Sequence, residues 1–217
     1  MPWGEVNRYS PPEVTLVVNL NSTLDSLKAD WTIYHEYSHL LIPYDAGDSR
    51  WLSEGLASYY QNIIQARAGM FDEKTMWKKL YDGFERGNKQ QNYAEQKLSQ
   101  VSDNIGQNQN YMRIDITLRT LSKNSNKSYS LDSVLKQLQA CCFHRQLSSR
   151  KLIQKLDQLS ESNIFSALFA DFSASYAIPN YLTLLNSLGV KVKNHQISLD
   201  NHAQLSQERQ AIFTGKL

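Results

Sequence analysis

The chain has 217 residues, of which 41% are hydrophobic and 20% charged, with 23 basic and 21 acidic side chains. A formal net charge of +2 with scattered basic residues gives no electrostatic footprint for nucleic acid. No apolar run approaches the roughly 18 residues of a membrane span, and the length suits one domain or two small ones around a sizeable core.

Residues 1–12 (MPWGEVNRYSPP) lack the apolar run of a secretory signal. Val14, Leu16 and Val18 then alternate as a strand buried on at least one face, after the break at Pro11-Pro12. From about Ala29 the pattern turns helical, with Ile33, Tyr37, Leu40 and Leu41 on one stripe and Pro43 marking the end. A second helix is predicted from about Trp51 to Ala68, with Leu52, Leu56, Tyr59, Tyr60, Ile63 and Ile64 inward and Gly69 as its stop. Asp72 caps a third, whose face is Met76, Trp77, Leu80, Tyr81 and Phe84 and whose end is Gly87.

Residues 88–110 differ in composition: eleven of these 23 are Asn or Gln, which reads either as a solvated surface excursion or as a rim over a cleft. Beyond Tyr111 the chain reads almost entirely as helix. The stripes are Ile114, Leu118 and Leu121; Leu131 to Leu138 behind a Ser130 cap; Leu152 to Leu159 after Ser149; and Ile164 to Phe172. A last helix is expected from Pro179 to Gly189, carrying Leu182, Leu185 and Leu188. Val190 to Phe213 is too weakly patterned to assign, with a short hairpin around Asp200-Asn201 as its candidate element. Cys141 and Cys142 are neighbours, with Cα atoms about 3.8 Å apart across a trans peptide. That is shorter than the usual disulfide span, so no intrachain bridge is expected and Cys141 is read as extending the Leu131–Leu138 stripe. The fold class expected is mainly α with a small N-terminal β-sheet, α+β.

One stretch carries chemistry. His35-Glu36-Tyr37-Ser38-His39 is an H-E-x-x-H sequence inside a predicted helix. Positions four apart on a helix lie about 40° apart around the axis and about 6 Å along it, so both imidazoles can converge on one ion. The apolar stripe lies roughly 180–220° away, which would bury it and leave the histidines on another surface. Glu36 occupies the flank where a general base acting on a metal-activated water belongs. Catalytic zinc commonly takes three protein ligands, one known set being two His and a Glu. After fourteen intervening residues, Glu54 opens the second helix as the candidate third ligand, with Gly55 allowing close helix approach. Ser58, Asp45 and Asp48 are candidates to orient the histidines from behind. His144, His195 and His202 have no ligand spacing and read as surface or packing residues.

His35-Glu36-x-x-His39 followed by Trp51-Leu52-Ser53-Glu54-Gly55-Leu56-Ala57 resembles the gluzincin zinc peptidases, specifically the aminopeptidase N and glycyl aminopeptidase families. Ser130-Leu131-Asp132-Ser133-Val134-Leu135 and the segment from Ile178-Pro179-x-Tyr181 to Leu188-Gly189-Val190 are similar to the glycyl aminopeptidase pattern. The resemblance implies a thermolysin-like zinc peptidase core at 1–87, the Asn/Gln-rich loop at 88–110 and a helical subdomain at 111–217. It implies one Zn2+ per chain on His35, His39 and Glu54, with Glu36 as base and proton shuttle and Tyr111 hydrogen-bonding the oxyanion. Ile114 stands where the family commonly has a glycine, which bears on the alignment of Tyr111. Glu5 is the candidate to face a substrate amine from an edge strand. The function expected is zinc-dependent, aminopeptidase-like hydrolysis of a peptide or protein substrate. The alternative is a non-catalytic, zinc-stabilised binding or scaffold module derived from a peptidase. The same resemblance leads us to expect a minimal member, or part of a longer precursor, periplasmic or otherwise exported.

Overall fold

The computed structural model describes residues 3–8, 10–45, 50–89, 97, 112, 115, 119, 129–176 and 180–216, with the backbone alone at 45, 50 and 51. The alternating segment forms β2 (Glu13–Val17), which pairs antiparallel with β1 (Trp3–Asn7) in the register Gly4↔Leu16 and Val6↔Val14. Val14 and Leu16 are half-buried, while Trp3 and Val17 face outward. The helix expected from about Ala29 begins at Thr32 and is preceded by a short helix that the pattern does not predict. Thr23 caps α1 (Leu24–Ala29), accepting the Ser26 N–H at 3.1 Å. Asp30 then breaks the run and accepts the Thr32 N–H at 2.7 Å, which opens α2 (Thr32–His39).

The buried face of α2 is the reverse of the one expected. Thr32, His35, Glu36 and Ser38 are buried, Ile33 and Leu40 are half-buried, and Tyr37 is 55% exposed. The reason is what α2 meets. It packs on α3 (Arg50–Arg67) and on the β1–β2 hairpin, and α3 offers polar partners along the contact. A polar face is buried at small cost only when its groups are paired.

α3 turns its other side to the core, where Leu52, Leu56, Tyr59, Tyr60 and Ile63 are buried. There it meets α4 (Glu73–Lys89), whose Met76, Trp77, Leu80, Tyr81 and Phe84 are all buried, as the periodicity predicts. Asp72 caps α4 by accepting the Thr75 N–H at 2.8 Å. Apart from the end of α4 and the exposed Lys97, residues 88–110 lie outside the described residues. So does the stripe of Ile114, Leu118 and Leu121. Met112, Asp115 and Arg119, also helical, are buried.

α5 (Leu131–Cys142) begins at Ser130, which forms a reciprocal capping box with Ser133. Its buried stripe of Leu131, Val134, Leu135 and Leu138 ends on Cys142, while Cys141 is exposed. The two sulfurs are joined in a disulfide with Cα atoms 3.7 Å apart, contrary to expectation. The usual span describes bridges between separated residues, whereas these two are joined by one peptide bond, which sets their Cα spacing. The short parallel pair β3 (Tyr44–Asp45) and β4 (Gln146–Leu147) then brings the end of α5 beside the segment that follows α2.

α6 (Ser149–Ser160) starts one residue earlier than expected, and α7 (Ile164–Ala174) buries Phe165 and Phe172. α8 (Tyr181–Ser187) is capped by Asn180, with Gly189 at φ +79° ending the turn, but Leu182 is 42% exposed. It is not the last helix. The hairpin of β5 (Val190–Lys193) and β6 (Gln196–Leu199) follows, turning at Asn194-His195 rather than Asp200-Asn201, and α9 (Ser206–Thr214) closes the described chain. Asn194 and His195 take φ of +50° and +58°, the left-handed backbone that two-residue hairpin turns require and that Asn tolerates. The described architecture is mostly helical with small sheets. One core runs from Ile42 to Ile212, and no described helix is long and apolar enough to cross a membrane. Trp77→Ala, which empties the largest fully buried side chain, is expected to lower stability by about 3–5 kcal/mol, read as the shift of a urea unfolding midpoint.

Candidate metal centre

α2 and α3 run antiparallel, as their side-chain pairs show: His35 meets Gln61, late in α3, and His39 meets Ser53, near its start. Glu54 lies between them. Its Oε2 is 3.3 Å from His35 Nε2 and 3.8 Å from His39 Nε2. Ligand atoms of all three residues fall within 4.8 Å of one another. For bonds of about 2.0–2.1 Å, a tetrahedral zinc ion sets its donors roughly 3.3–3.4 Å apart. The 3.3 Å separation matches that spacing and the 3.8 Å one exceeds it by about half an ångström, which leaves the two nitrogens and the carboxylate oxygen placed to converge on such an ion.

The remaining ring nitrogens fix the imidazoles. His35 Nδ1 is 2.8 Å from Gln61 Oε1, and His39 Nδ1 is 2.8 Å from Ser53 Oγ. With Nδ1 engaged, both rings direct Nε2 to the shared point, as in metal sites whose histidines are oriented by an outer partner. The rings stand edge to face with centroids 4.8 Å apart, and Trp31 packs edge-on against His35 at 5.3 Å. The orienting groups are thus Gln61 and Ser53 in place of the expected Ser58, which is half-buried on the same helix. Asp48 and Tyr111 lie outside the described residues, and the side chain of Asp45 is not described. Ser58 lies one turn beyond Glu54 and Gln61 lies one turn further. Seven residues is two turns, and places Gln61 within about 20° of Glu54 around the axis.

Burial pulls the His35 pKa down, but hydrogen bonds with Glu54 and Gln61 and the charges of Glu54 and Glu36 outweigh it, so it is raised. Glu36 is 9% exposed. Its pKa is raised, first by burial and then by the charges of Glu54 and Glu5, with His35 opposing. Glu36 lies against β1, where a Cβ added to Gly4 would stand 2.8 Å from both its Cδ and its Oε1. Only a residue without a side chain leaves that space to the carboxylate. Glu5, next along β1, is exposed opposite Thr15.

The C-terminal end of α2 is held from two sides. Arg8 donates to Ile42 O at 2.7 Å and to His39 O, and Gln139 of α5 donates to Leu40 O at 2.9 Å. His39 O and Leu40 O are among the carbonyls that a helix end leaves without partners, and Ile42 O lies just beyond it. Nothing in the sequence pattern pointed to Gly4, Arg8 or Gln139, because their roles depend on contacts distant along the chain. His144, His195 and His202 are exposed and are not part of the cluster.

Two histidines and a glutamate converging beside a buried carboxylate are the parts of a hydrolytic metal centre, and one comparison bears on that reading. Residues 44–135 match the M61 glycyl aminopeptidase family. The glycyl aminopeptidase match covers under half of the chain, taking in Glu54, Tyr111 and the Ser130–Leu135 segment. His35–His39 and the segment from Ile178 to Val190 lie outside it. Over the matched residues, the resemblance to a gluzincin peptidase family is shown. No curated protein and no solved structure matches the chain. The glycyl aminopeptidase match supports a metallopeptidase, and the cluster is able to hold a metal. Gln61→Ala is expected to weaken metal retention by about 10–100-fold in a chelator competition, because His35 loses its orienting partner.

Proposed function

We propose that the chain is a zinc-dependent peptidase of aminopeptidase type, built on a thermolysin-like core. The observation that carries the reading is the convergence of His35, His39 and Glu54 beside Glu36, on a helix pair that keeps all four side chains largely buried. In this reading His35 and His39 bind zinc through Nε2, and Glu54 binds through a carboxylate oxygen. A bound zinc ion supplies Lewis acidity that polarises the scissile carbonyl and acidifies the attacking water.

The chain's own residues do the rest. Glu36 accepts a proton from the water on its carboxylate and hands it to the leaving amine. Its raised pKa suits that exchange, because burial brings it nearer the working pH of a general base. Gly4 keeps the space that lets this carboxylate lie against β1. Gln61 and Ser53 hold the imidazoles in one orientation, so that no reorganisation is needed as charge develops. The family resemblance supports Tyr111 as the hydrogen-bond donor to the oxyanion, a contribution often among the largest in such reactions. Glu5 is our candidate acceptor for a substrate's N-terminal amine. Its support is its place in β1 next to Gly4, which lies against Glu36.

Glu36→Gln is expected to bind one equivalent of zinc by elemental analysis while peptide turnover falls by about 10²-fold or more. Undiminished turnover in that variant sinks the mechanism. Gly4→Ala tests the geometry around the same carboxylate. Its added methyl displaces the Glu36 side chain, and kcat is expected to fall by at least about tenfold with zinc content unchanged.

A further inference from the structure

Beside the end of α2, the β1–β2 turn, the start of β3 and the turn between α5 and β4 line a half-open cavity of about 570 Å³. That volume lies within the range of small-molecule sites. Its described walls carry Tyr44 and Phe143 as rings, and Arg8, His144 and Arg145 as nitrogen-bearing groups. No carboxylate residue is among the described lining. Neither Arg8 nor Arg145 makes an ion pair among the described residues.

The two cations are of different kinds. Arg8 is half-buried and anchored, with its guanidinium spanning the carbonyls of Ile42 and His39. Burial lowers its pKa, with Tyr44 acting in the other direction. Its charge is therefore held at a desolvation cost that an approaching anion offsets. Arg145 is exposed, and its backbone N–H is tied to Cys142 O at 2.9 Å. Its side chain is thus free to close over a ligand from a fixed turn. Phe143 is half-buried with its ring against His144, centroids 5.1 Å apart, and Tyr44 also lines the cavity. Two guanidinium groups in the lining favour a planar, charged acceptor, and the rings favour an apolar body attached to it.

We propose that this cavity binds a carboxylate carried on an apolar body, with Arg8 and Arg145 on the charge and Tyr44 and Phe143 on the body. None of the metal ligands is among its described lining, and the proposal needs no step of the proposed hydrolysis. The chemistry is shared by a free aromatic acid and by the C-terminal carboxylate of a peptide ending in an apolar residue.

The test is an amide-shift NMR titration of the full chain with phenylacetate, with N-acetyl-alanyl-phenylalanine, and with phenylacetamide as the uncharged control. The amides of Tyr44 and of residues 143–146 are expected to shift with the two carboxylates and not with the amide. Arg145→Gln is expected to weaken carboxylate binding by about tenfold, the loss of one charge-assisted contact. This variant leaves Arg8 and its clamp on α2 intact. Equal affinities for the two carboxylates assign the site to a free acid, and tighter binding of the peptide assigns it to a peptide C-terminus. Shifts confined to the metal-ligand helices, equal binding of phenylacetamide, or unchanged affinity in Arg145→Gln overturns the proposal. Loss of peptidase activity in Glu36→Gln leaves this result untouched, so the two readings fail separately.

Discussion

The antiparallel contact of α2 with α3 is the constraint on which the candidate site rests, because it buries the polar face of a short helix. Such a face is costly unless each group finds a partner. For the two histidines the partners are on hand. Glu54 and Gln61 meet His35, Ser53 meets His39, and Gln65 donates to the carbonyls of Ala29 and Asp30 at 3.3 and 3.2 Å where α1 gives way to α2. Arg8 and Gln139 do the same at the other end. The helix that carries the H-E-x-x-H sequence is therefore fixed along its length by side chains from elsewhere.

α3 in turn is fixed from its opposite side. Tyr59 donates to Asp115 at 3.2 Å, and Tyr60 donates to Asp132 at 2.7 Å. Arg67 forks onto Asp132 with contacts of 3.2 and 3.0 Å and also donates to Ile212 O. Arg119 joins Asp115 to Asp132, and Asp115 accepts the Leu131 N–H that opens α5. Burial raises the Asp115 pKa, with Arg119 as the main opposing influence. A network of this kind is poor evidence for stability on its own, since desolvation offsets much of its attraction. What it does supply is position: the helix bearing Glu54 is tied to α5 and α9 by directional bonds, whereas apolar packing alone allows sliding.

Much of the fold was legible where packing obeys a simple period. The inward faces of α3, α4 and α5 were readable because each helix meets the core along one apolar stripe. The capping signals of Ser130 and Asp72 were readable because capping is local chemistry. Reading failed where the period was not the deciding force. α2 buries His35 and Glu36 and exposes Tyr37, since the partner helix supplies polar contacts that no sequence window contains. The C-terminal hairpin turns at Asn194-His195, where the left-handed backbone occurs, although Asp200-Asn201 has a similar turn composition.

Sequence by itself determined the chemical character of the site: two histidines four apart on a helix, a glutamate between them, and a second glutamate opening the next helix. Their spacing follows from helical geometry, which depends only on neighbours along the chain. The tertiary structure decided everything that requires two segments to meet. It selected Gln61 and Ser53 to orient the imidazoles, put Gly4 against Glu36, and placed Arg8 on the carbonyls at the end of α2. Those contacts join residues 14 to 34 positions apart. Their selection depends on how helices and strands pack, which no local spacing encodes.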